Sequence, residues 1–179
     1  MAVQSYKGMF FCDVDGTILP HGQKEVDGRF FTLVDQALDS GFLFCISSGR
    51  FDRSLFPLFP SLEEKVVFSA SNGCLILYKG KPLLPNHIIK RTTAHEISDS
   101  LLKWDGIPLI STTKAIYLPH TAYEQQKTKN YLAKGYTKLF TDFSQIEGDV
   151  LQITAFCEIN KEQVLEKARA AWEPQLHVV

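Results

Sequence analysis

The sequence has no surplus of basic residues and no apolar run that approaches the length of a membrane span. Its 179 residues include 19 lysines and arginines against 20 aspartates and glutamates, which gives a formal net charge of -1. Without a basic excess there is little electrostatic attraction to nucleic acid or to an anionic membrane surface. We therefore expect neither a nucleic-acid partner nor a membrane partner.

The sequence also lacks the cysteine and histidine patterns that hold metals. Cys12, Cys45, Cys74 and Cys157 form no Cys-x-x-Cys pair, and each lies in an apolar, strand-like context where free buried thiols are common. The histidines show no His-x-x-x-His spacing, so surface or packing roles are expected for them. The N-terminus has no cationic start followed by a long apolar core. These absences favour a reducing, cytoplasmic compartment.

The most informative stretch that is present runs from Met9 to Thr17, where an apolar run ends in two acids and a Gly-Thr turn. Side chains alternate along a strand, so Asp13 and Asp15 would project to the same side if the strand continued through both. Two carboxylates this close repel each other unless a cation or a shared proton intervenes. Ligands of open parallel sheets bind at the carboxyl ends of the strands. The pattern predicts a Mg²⁺ site, with one carboxylate free to attack an electrophile.

Other interpretations of this Asp-x-Asp-Gly stretch are an ordinary turn and a chance match. An EF-hand calcium loop is excluded, because that pattern requires an acid or Asn at Thr17 and a glycine at Ile18. The apolar strand that precedes the acids favours the catalytic interpretation.

The first 85 residues alternate between strand and helix patterns, which predicts an α/β fold with a parallel, Rossmann-like sheet. Asp27 is expected to cap a helix, and Gly41 to end it. Strands are predicted at 42–46 and 65–70, followed by a turn at Asn72-Gly73 and a hairpin that begins at Cys74 and turns at 79–81. The apolar face of the helix is expected to consist of Phe30, Leu33, Val34, Ala37 and Leu38.

From residue 86 onward the pattern predicts a second α/β domain that packs over the site. Three helices are expected to begin at capping sequences, Thr93-x-x-Glu96, Thr121-x-x-Glu124 and Asn160-x-x-Gln163. Strands are expected at 108–110, 115–118 and 150–157.

A second candidate segment, Ser47-Ser48-Gly49, follows the 42–46 strand directly. Small hydroxyls and backbone N–H groups at the start of a helix form a phosphate cradle, although a plain helix cap is the alternative. Arg50 is either a phosphate ligand or a solvated surface arginine. Asn72 is either a left-handed turn residue or part of the site rim.

Three motifs, in order, carry a family resemblance. Asp13-Val14-Asp15-Gly16-Thr17 after an apolar strand resembles the first motif of the haloacid dehalogenase superfamily of phosphohydrolases. The stretch 46–50 is similar to its second motif. The stretch 71–76 resembles the Asn-Gly segment of the sugar-phosphatase (Cof-like) branch, which has an inserted α/β cap. This resemblance implies a Rossmann-like core, residues 1–85, and a cap domain, residues 86–179.

The resemblance also implies Mg²⁺-dependent hydrolysis of a small phosphorylated metabolite through an aspartyl phosphate. Asp13 would be the nucleophile, and Asp15 would be the general acid and base. Both would hold the metal, Asp15 through its backbone carbonyl. Phosphate would be bound by the Ser48 hydroxyl, with Gly49, Arg50 and Asn72 around it.

Two pieces that the superfamily has after the cap are not seen: a lysine at the site and a Gly-Asp-x-x-Asn-Asp segment. Gly148-Asp149 opens in a similar way, but no second acid follows, so we attribute that match to chance. Lys134 and Lys138 lie in the cap region. The chain is thus expected to be the N-terminal portion of a longer enzyme, with little activity and weak metal binding. A non-catalytic phosphate-binding or regulatory module and an inactive folded remnant are the alternatives.

Without the second half of such a core, the strand at Met9–Cys12 would lie at the edge of the sheet. It carries no charge, proline or bulge, the features with which proteins block edge pairing. A two-fold homodimer through this edge is therefore possible. The alternative is that the cap or the C-terminal tail folds back over it.

Overall fold

Two α/β units, Met1–His87 and Ile88–Val179, make up the chain. The computed structural model describes residues 5–124 and 135–179. Within these ranges no helix combines the length and the apolar character needed to cross a membrane. The predicted α/β class with a Rossmann-like parallel sheet is confirmed. That the two units serve as core and cap, divided after residue 85, stays a prediction.

The first unit is built on a five-stranded sheet of β1 (Met9–Asp13), β2 (Leu43–Ser47), β3 (Val67–Ala70), β4 (Leu75–Tyr78) and β5 (Lys81–Pro82). The strands lie side by side in chain order. β1, β2 and β3 run parallel, while β4 and β5 form an antiparallel hairpin. Among the described strands, β1 pairs with β2 alone and is an edge strand, as the sequence predicts.

Helix α1 (Gly28–Asp39) connects β1 to β2 and begins as predicted. The carboxylate of Asp27 accepts a hydrogen bond from the Arg29 backbone N–H at 2.9 Å, which satisfies one free donor of the first turn. Val34 is fully buried, but Leu33 is 62% exposed, so its placement on the buried face was wrong. The apolar stripe of α1 is wider than the surface that the described sheet offers it.

Phenylalanine rings fill the space between α1 and the sheet. The Phe30 ring lies 5.7 Å from Phe44 and 5.9 Å from Phe59, and Phe59 lies 6.1 Å from Phe68. These are the usual distances of tilted and edge-to-face aromatic pairs. The prolines of the 56–60 segment exclude a long helix there, and only α2 (Asp52–Leu55) and one 3₁₀ turn, Phe56–Leu58, form.

The second unit contains a four-stranded sheet with two helices, α3 (Arg91–Lys103) and α4 (Lys161–Trp172). Its strands are β6 (Gly106–Thr112), β7 (Ile116–Pro119), β8 (Thr137–Phe140) and β9 (Val150–Cys157), in the order β8-β7-β6-β9. The helices share one apolar cluster, in which Ile97, Leu101, Val164 and Trp172 are buried.

Three details of the second unit differ from the sequence prediction. Helix α4 begins at Lys161 as predicted, but Asn160, with φ +61°, makes no side-chain cap. Helix α3 begins at Arg91 without a side-chain cap, so the Thr93–Glu96 capping box is wrong. Ile89 pairs with Val150 just before it, and the chain turns into the helix directly from that bridge. Strand β8 was not predicted at all. The predicted helix at Thr121 is described only as far as a 3₁₀ turn, His120–Glu124, and its remainder lies outside the described residues.

Candidate functional site

The candidate residues gather at the carboxyl ends of the three parallel strands. Asp13, the last residue of β1, lies beside Ser47, the last residue of β2, and Ser47 lies beside Ser69 of β3. The loops that leave these strands therefore start at the same edge of the sheet. This edge is where ligands bind in open parallel sheets.

The loop after β1 carries the second acid of the first motif. The strand ends at Asp13, so strand alternation does not place Asp15, contrary to the simple geometric expectation. A tight loop places it instead. The Leu19 N–H donates to the Val14 carbonyl at 2.8 Å, and Gly16, with φ +87°, turns the chain between them.

The carboxylate of Asp15 is held by two residues from the loop after β2. Arg50 Nη2 donates to Oδ1 at 2.6 Å, and Arg50 Nε lies 3.0 Å from Oδ2 and 3.2 Å from Oδ1. The Ser48 hydroxyl lies 3.4 Å from Oδ2, a long hydrogen bond. Hydrogen bonds from Arg50 are the main reason that the pKa of Asp15 lies below its ordinary value.

The carboxylate of Asp13 contrasts with that of Asp15. Asp13 is exposed, and within residues 5–124 and 135–179 its carboxylate has no hydrogen bond or ion pair to another side chain or backbone N–H. The Asp13 carboxylate is therefore available as a nucleophile, whereas the Asp15 carboxylate is held in an ion pair.

Ser48 is buried and fixed by its own backbone. Its N–H donates to the Ser69 carbonyl at 2.9 Å, and its carbonyl accepts from the Asn72 N–H at 3.2 Å. The Ser48 Oγ accepts from the Arg50 N–H at 3.1 Å. The helix expected directly after this serine begins only at Asp52 and has four residues. A loop, not a helix N-terminus, therefore forms the cradle.

Asn72 reaches the same loop from β3. Its backbone is left-handed, with φ +54°, so the turn interpretation is confirmed. Its side chain also lies against Gly49: a Cβ at residue 49 would be 2.8 Å from Asn72 Oδ1. The two interpretations of Asn72 are thus compatible, because the left-handed turn aims its carboxamide at the Ser48–Arg50 loop.

One residue near the site was missed in the sequence. The His21 ring approaches Gly16, where a Cβ would lie 3.5 Å from His21 Nε2. His21 also contributes to lowering the pKa of Asp15, after Arg50 and Ser48. The only sequence signal was its position in a Pro-His-Gly loop directly after the first motif.

Gly148 and Asp149, which resemble the opening of a later family motif, have structural roles in the second unit. Gly148 has φ +83°, and a Cβ there would lie 2.8 Å from Thr113 Oγ1. The Asp149 N–H donates to that same Oγ1 at 3.1 Å. This turn accounts for Gly148-Asp149 without a metal role. Lys138 Nζ lies 3.4 Å from Glu147 Oε2, and Lys134 lies outside the described residues.

The acids at the end of β1 are the candidate metal ligands. No group of three or more His, Cys, Asp or Glu side chains in the described part of the chain could hold a metal ion. Asp13 does supply a carboxylate at the strand end, and Asp15 a backbone carbonyl, and oxygen is the ligand type that Mg²⁺ prefers. Mg²⁺ commonly uses one or two carboxylates and fills its shell with water and phosphate oxygens. The residues present therefore fit a Mg²⁺ site with few protein ligands.

The sequence family of haloacid dehalogenase-like hydrolases matches residues 10–178, nearly the whole chain. No curated protein matches the chain in sequence.

Solved structures with the same fold include a protein from Eubacterium rectale, at TM-score 0.82 and 17% identity over 97% of this chain. A haloacid dehalogenase-like hydrolase from B. subtilis matches at TM-score 0.73 and 20% identity over 94% of this chain. A sugar phosphatase of haloacid dehalogenase subclass IIB matches at TM-score 0.66 and 17% identity over 89% of this chain. The chain covers 66%, 67% and 62% of these three proteins, so it spans about two thirds of their length.

Proposed function

This chain belongs to the haloacid dehalogenase-like hydrolases, and on that premise we propose that its protein hydrolyses a small phosphorylated metabolite, such as a sugar phosphate. The observation that carries the proposal is the pair of acids after β1. Asp13 has an unengaged carboxylate, and Asp15 is held beside it by Arg50 and Ser48. Phosphoryl transfer to a carboxylate requires these two roles side by side.

In the proposed reaction, an oxygen of Asp13 attacks phosphorus as the bond from phosphorus to the leaving oxygen breaks. Asp15 gives its proton to that leaving oxygen, which departs as an alcohol. Asp15 then takes a proton from a water molecule that attacks the aspartyl phosphate. Inorganic phosphate leaves, and Asp13 returns as a carboxylate while Asp15 is protonated again.

The site residues are also assigned to binding the metal ion and the phosphoryl group. Asp13 and Asp15 would hold a Mg²⁺ ion, which supplies positive charge against the phosphoryl oxygens when it is bound. The Ser48 hydroxyl, the Gly49 backbone and the Arg50 guanidinium would hold the phosphoryl oxygens. Asn72 would hold the Gly49 backbone in place, because Asn72 Oδ1 lies 2.8 Å from the position that a Cβ at residue 49 would occupy.

The test is phosphate release from a panel of phosphorylated metabolites in the presence of Mg²⁺, measured with the full-length protein of which this chain is expected to be the N-terminal portion. Asp13→Asn removes the attacking charge and is expected to abolish release. Asp39→Asn is a matched control, because Asp39 is an exposed acid at the end of α1, and it should leave release unchanged. Equal phosphate release by the wild-type protein and by Asp13→Asn would contradict the proposal.

A second candidate function is a non-catalytic module that binds phosphorylated sugars. It is favoured by the ion pair with Arg50, which engages both carboxylate oxygens of Asp15, the expected acid–base residue. Calorimetry with sugar phosphates separates the two: binding without turnover supports the module, and turnover by the 179-residue chain excludes it. An inactive remnant would show neither.

Two further proposals concern the protein's surroundings. All four cysteines are free thiols, which fits the reducing cytoplasm. The free edge of β1, with Phe10 47% and Phe11 70% exposed, fits a two-fold homodimer in which two β1 strands pair. Light scattering over a concentration series tests the dimer, and a strict monomer at high concentration would contradict it.

A further inference from the structure

The ion pair between Arg50 and Asp15 occupies both oxygens of the carboxylate. Oδ1 accepts from Nη2 at 2.6 Å and from Nε at 3.2 Å, while Oδ2 accepts from Nε at 3.0 Å and faces the Ser48 hydroxyl at 3.4 Å. Arg50 lies 35 residues after Asp15, so the pair joins the loops that follow β1 and β2. In this arrangement neither oxygen of Asp15 is open toward a leaving group.

The same guanidinium is the strongest phosphate ligand in this loop, because its planar fork matches carboxylate and phosphate oxygens equally well. A substrate phosphoryl group that enters beside Ser48 therefore competes with Asp15 for Arg50. The pair is also accessible to solvent: the exposed fractions are 33% for the Arg50 side chain and 49% for Asp15. Ion pairs this exposed contribute only about 0–1 kcal/mol, so a phosphate dianion can break one at low cost.

We propose that Arg50 is a substrate-responsive positioning residue, which pairs with Asp15 in the empty site and moves to the phosphoryl group when substrate binds. The exchange releases the Asp15 carboxyl group for proton transfer only when a substrate is present. This inference rests on the proposed function, since it determines when Asp15, the acid–base residue of that reaction, can transfer a proton.

The backbone supports an exchange that involves only the side chain. The Arg50 N–H donates to Ser48 Oγ at 3.1 Å, and the Arg50 carbonyl accepts from the Ser71 N–H at 2.9 Å. The main chain of residue 50 is thereby fixed at both sides. The Arg50 guanidinium can then move from the Asp15 carboxylate to the phosphoryl group by rotation about side-chain bonds alone. Both acceptors lie at the same edge of the sheet.

The experiment is a double-mutant cycle on the binding of inorganic phosphate to the 179-residue chain, measured by calorimetry. Arg50→Met is expected to weaken phosphate binding about 10-fold or more, since hydrogen bonds to charged groups are worth about 1.5–3 kcal/mol. Asp15→Asn removes the competitor and is expected to tighten binding, up to about fivefold for an exposed pair. In the Arg50→Met background, that gain of Asp15→Asn should be lost.

Asp13→Asn is the control for charge repulsion. It also removes a carboxylate near the phosphate, but Asp13 is not paired to Arg50, so any gain it gives should persist in the Arg50→Met background. Arg29→Met is the control for losing a paired arginine, because Arg29 forms an equally close pair with Asp27 at the start of α1. It should leave phosphate binding unchanged.

Arg50→Lys is the control for a folding defect. It keeps the positive charge but loses the planar guanidinium group, so its affinity for phosphate should lie between those of the wild type and Arg50→Met. The proposal is overturned if Asp15→Asn gives the same gain with and without Arg50, or if the wild-type chain binds no phosphate. Failure of the proposed function looks different: the cycle shows coupling, and no metabolite in the panel is hydrolysed.

Discussion

The carboxamide of Asn72 lies over Gly49, so close that a first side-chain carbon at residue 49 would be 2.8 Å from Asn72 Oδ1. Separations below 3.0 Å essentially never occur for a real Cβ. The glycine of the second loop is therefore matched to an asparagine 23 residues later, and the two loops are shaped by each other. The relationship predicts how each residue responds when the other is changed.

Gly49→Ala is expected to displace the Asn72 side chain and to lower the free energy of unfolding by about 1 kcal/mol, the low end of the range for overpacking, because the obstructing atom is the end of a side chain that can rotate. Asn72→Gly should relieve this, because glycine tolerates the left-handed backbone of residue 72 and removes the obstructing carboxamide. Urea unfolding of the two single variants and the double variant measures the coupling. If Gly49→Ala is equally destabilising with and without Asn72→Gly, the contact does not determine the residue at 49.

Phe11→Lys is expected to reduce self-association, because a charge in the middle of β1 opposes strand pairing across the free edge. Phe11 is exposed, so the change should leave the free energy of unfolding of the monomer almost unaffected. Ile159→Lys is the matched control: Ile159 is 74% exposed and lies in the second unit. Light scattering that gives the same mass for both variants would show that β1 is not the contact.

Thr112→Val should destabilise the second unit by about 2–4 kcal/mol. The fully buried Thr112 Oγ1 accepts from the Lys114 and Ala115 N–H groups, both at 3.1 Å, and valine would leave the buried Ala115 N–H and the partly buried Lys114 N–H without this acceptor. Thr112→Ser keeps the hydroxyl and removes one methyl group, which costs about 1 kcal/mol. Urea unfolding should therefore rank wild type above serine and serine above valine. Equal stability of the two variants would contradict this account.

Stability should fall in alkaline solution because of Cys45. Burial in the sheet raises the pKa of its thiol to about 11, so the folded state disfavours the thiolate. This contribution is complete below the unfolded pKa of about 8.5 and is lost as pH rises toward 11, because only the unfolded chain releases the proton. Cys45→Val removes the thiol and should flatten the fall in unfolding free energy between pH 8 and pH 10. An identical slope in both proteins would rule out Cys45 as the cause.

Local sequence signals predicted much of the first unit. The cap at Asp27, the strands β1 to β3 and the hairpin of β4 and β5 each follow from a short-range pattern, and all are confirmed. Leu33 failed because periodicity fixes the face of a helix but not the extent of the sheet beneath it. The capping box predicted at Thr93–Glu96 was wrong because the bridge between Ile89 and Val150, a long-range contact, determines where α3 begins.

For the site, strand ends could be located from sequence, but side-chain partners could not. Asp13 and Ser48 were placed correctly at neighbouring strand ends. The pairing of Arg50 with Asp15 depends on a side chain that reaches across 35 residues, and the approach of His21 to Gly16 depends on how one loop folds back. Neither leaves a periodic pattern in the sequence.

The order of strands in the first sheet has a consequence for synthesis on the ribosome. Each strand pairs with the next one along the chain, so the sheet can assemble progressively as the chain emerges, without waiting for distant residues. Parallel pairing across a long connection is slow, so the antiparallel β4–β5 hairpin is expected to form faster than the β1–β2 and β2–β3 pairs. The same order makes β1 the first strand to appear and leaves its outer edge open while β2 to β5 are being synthesised. On a polysome, several nascent chains would present this edge at once, and a chaperone that shields Phe10 and Phe11 would act earliest there.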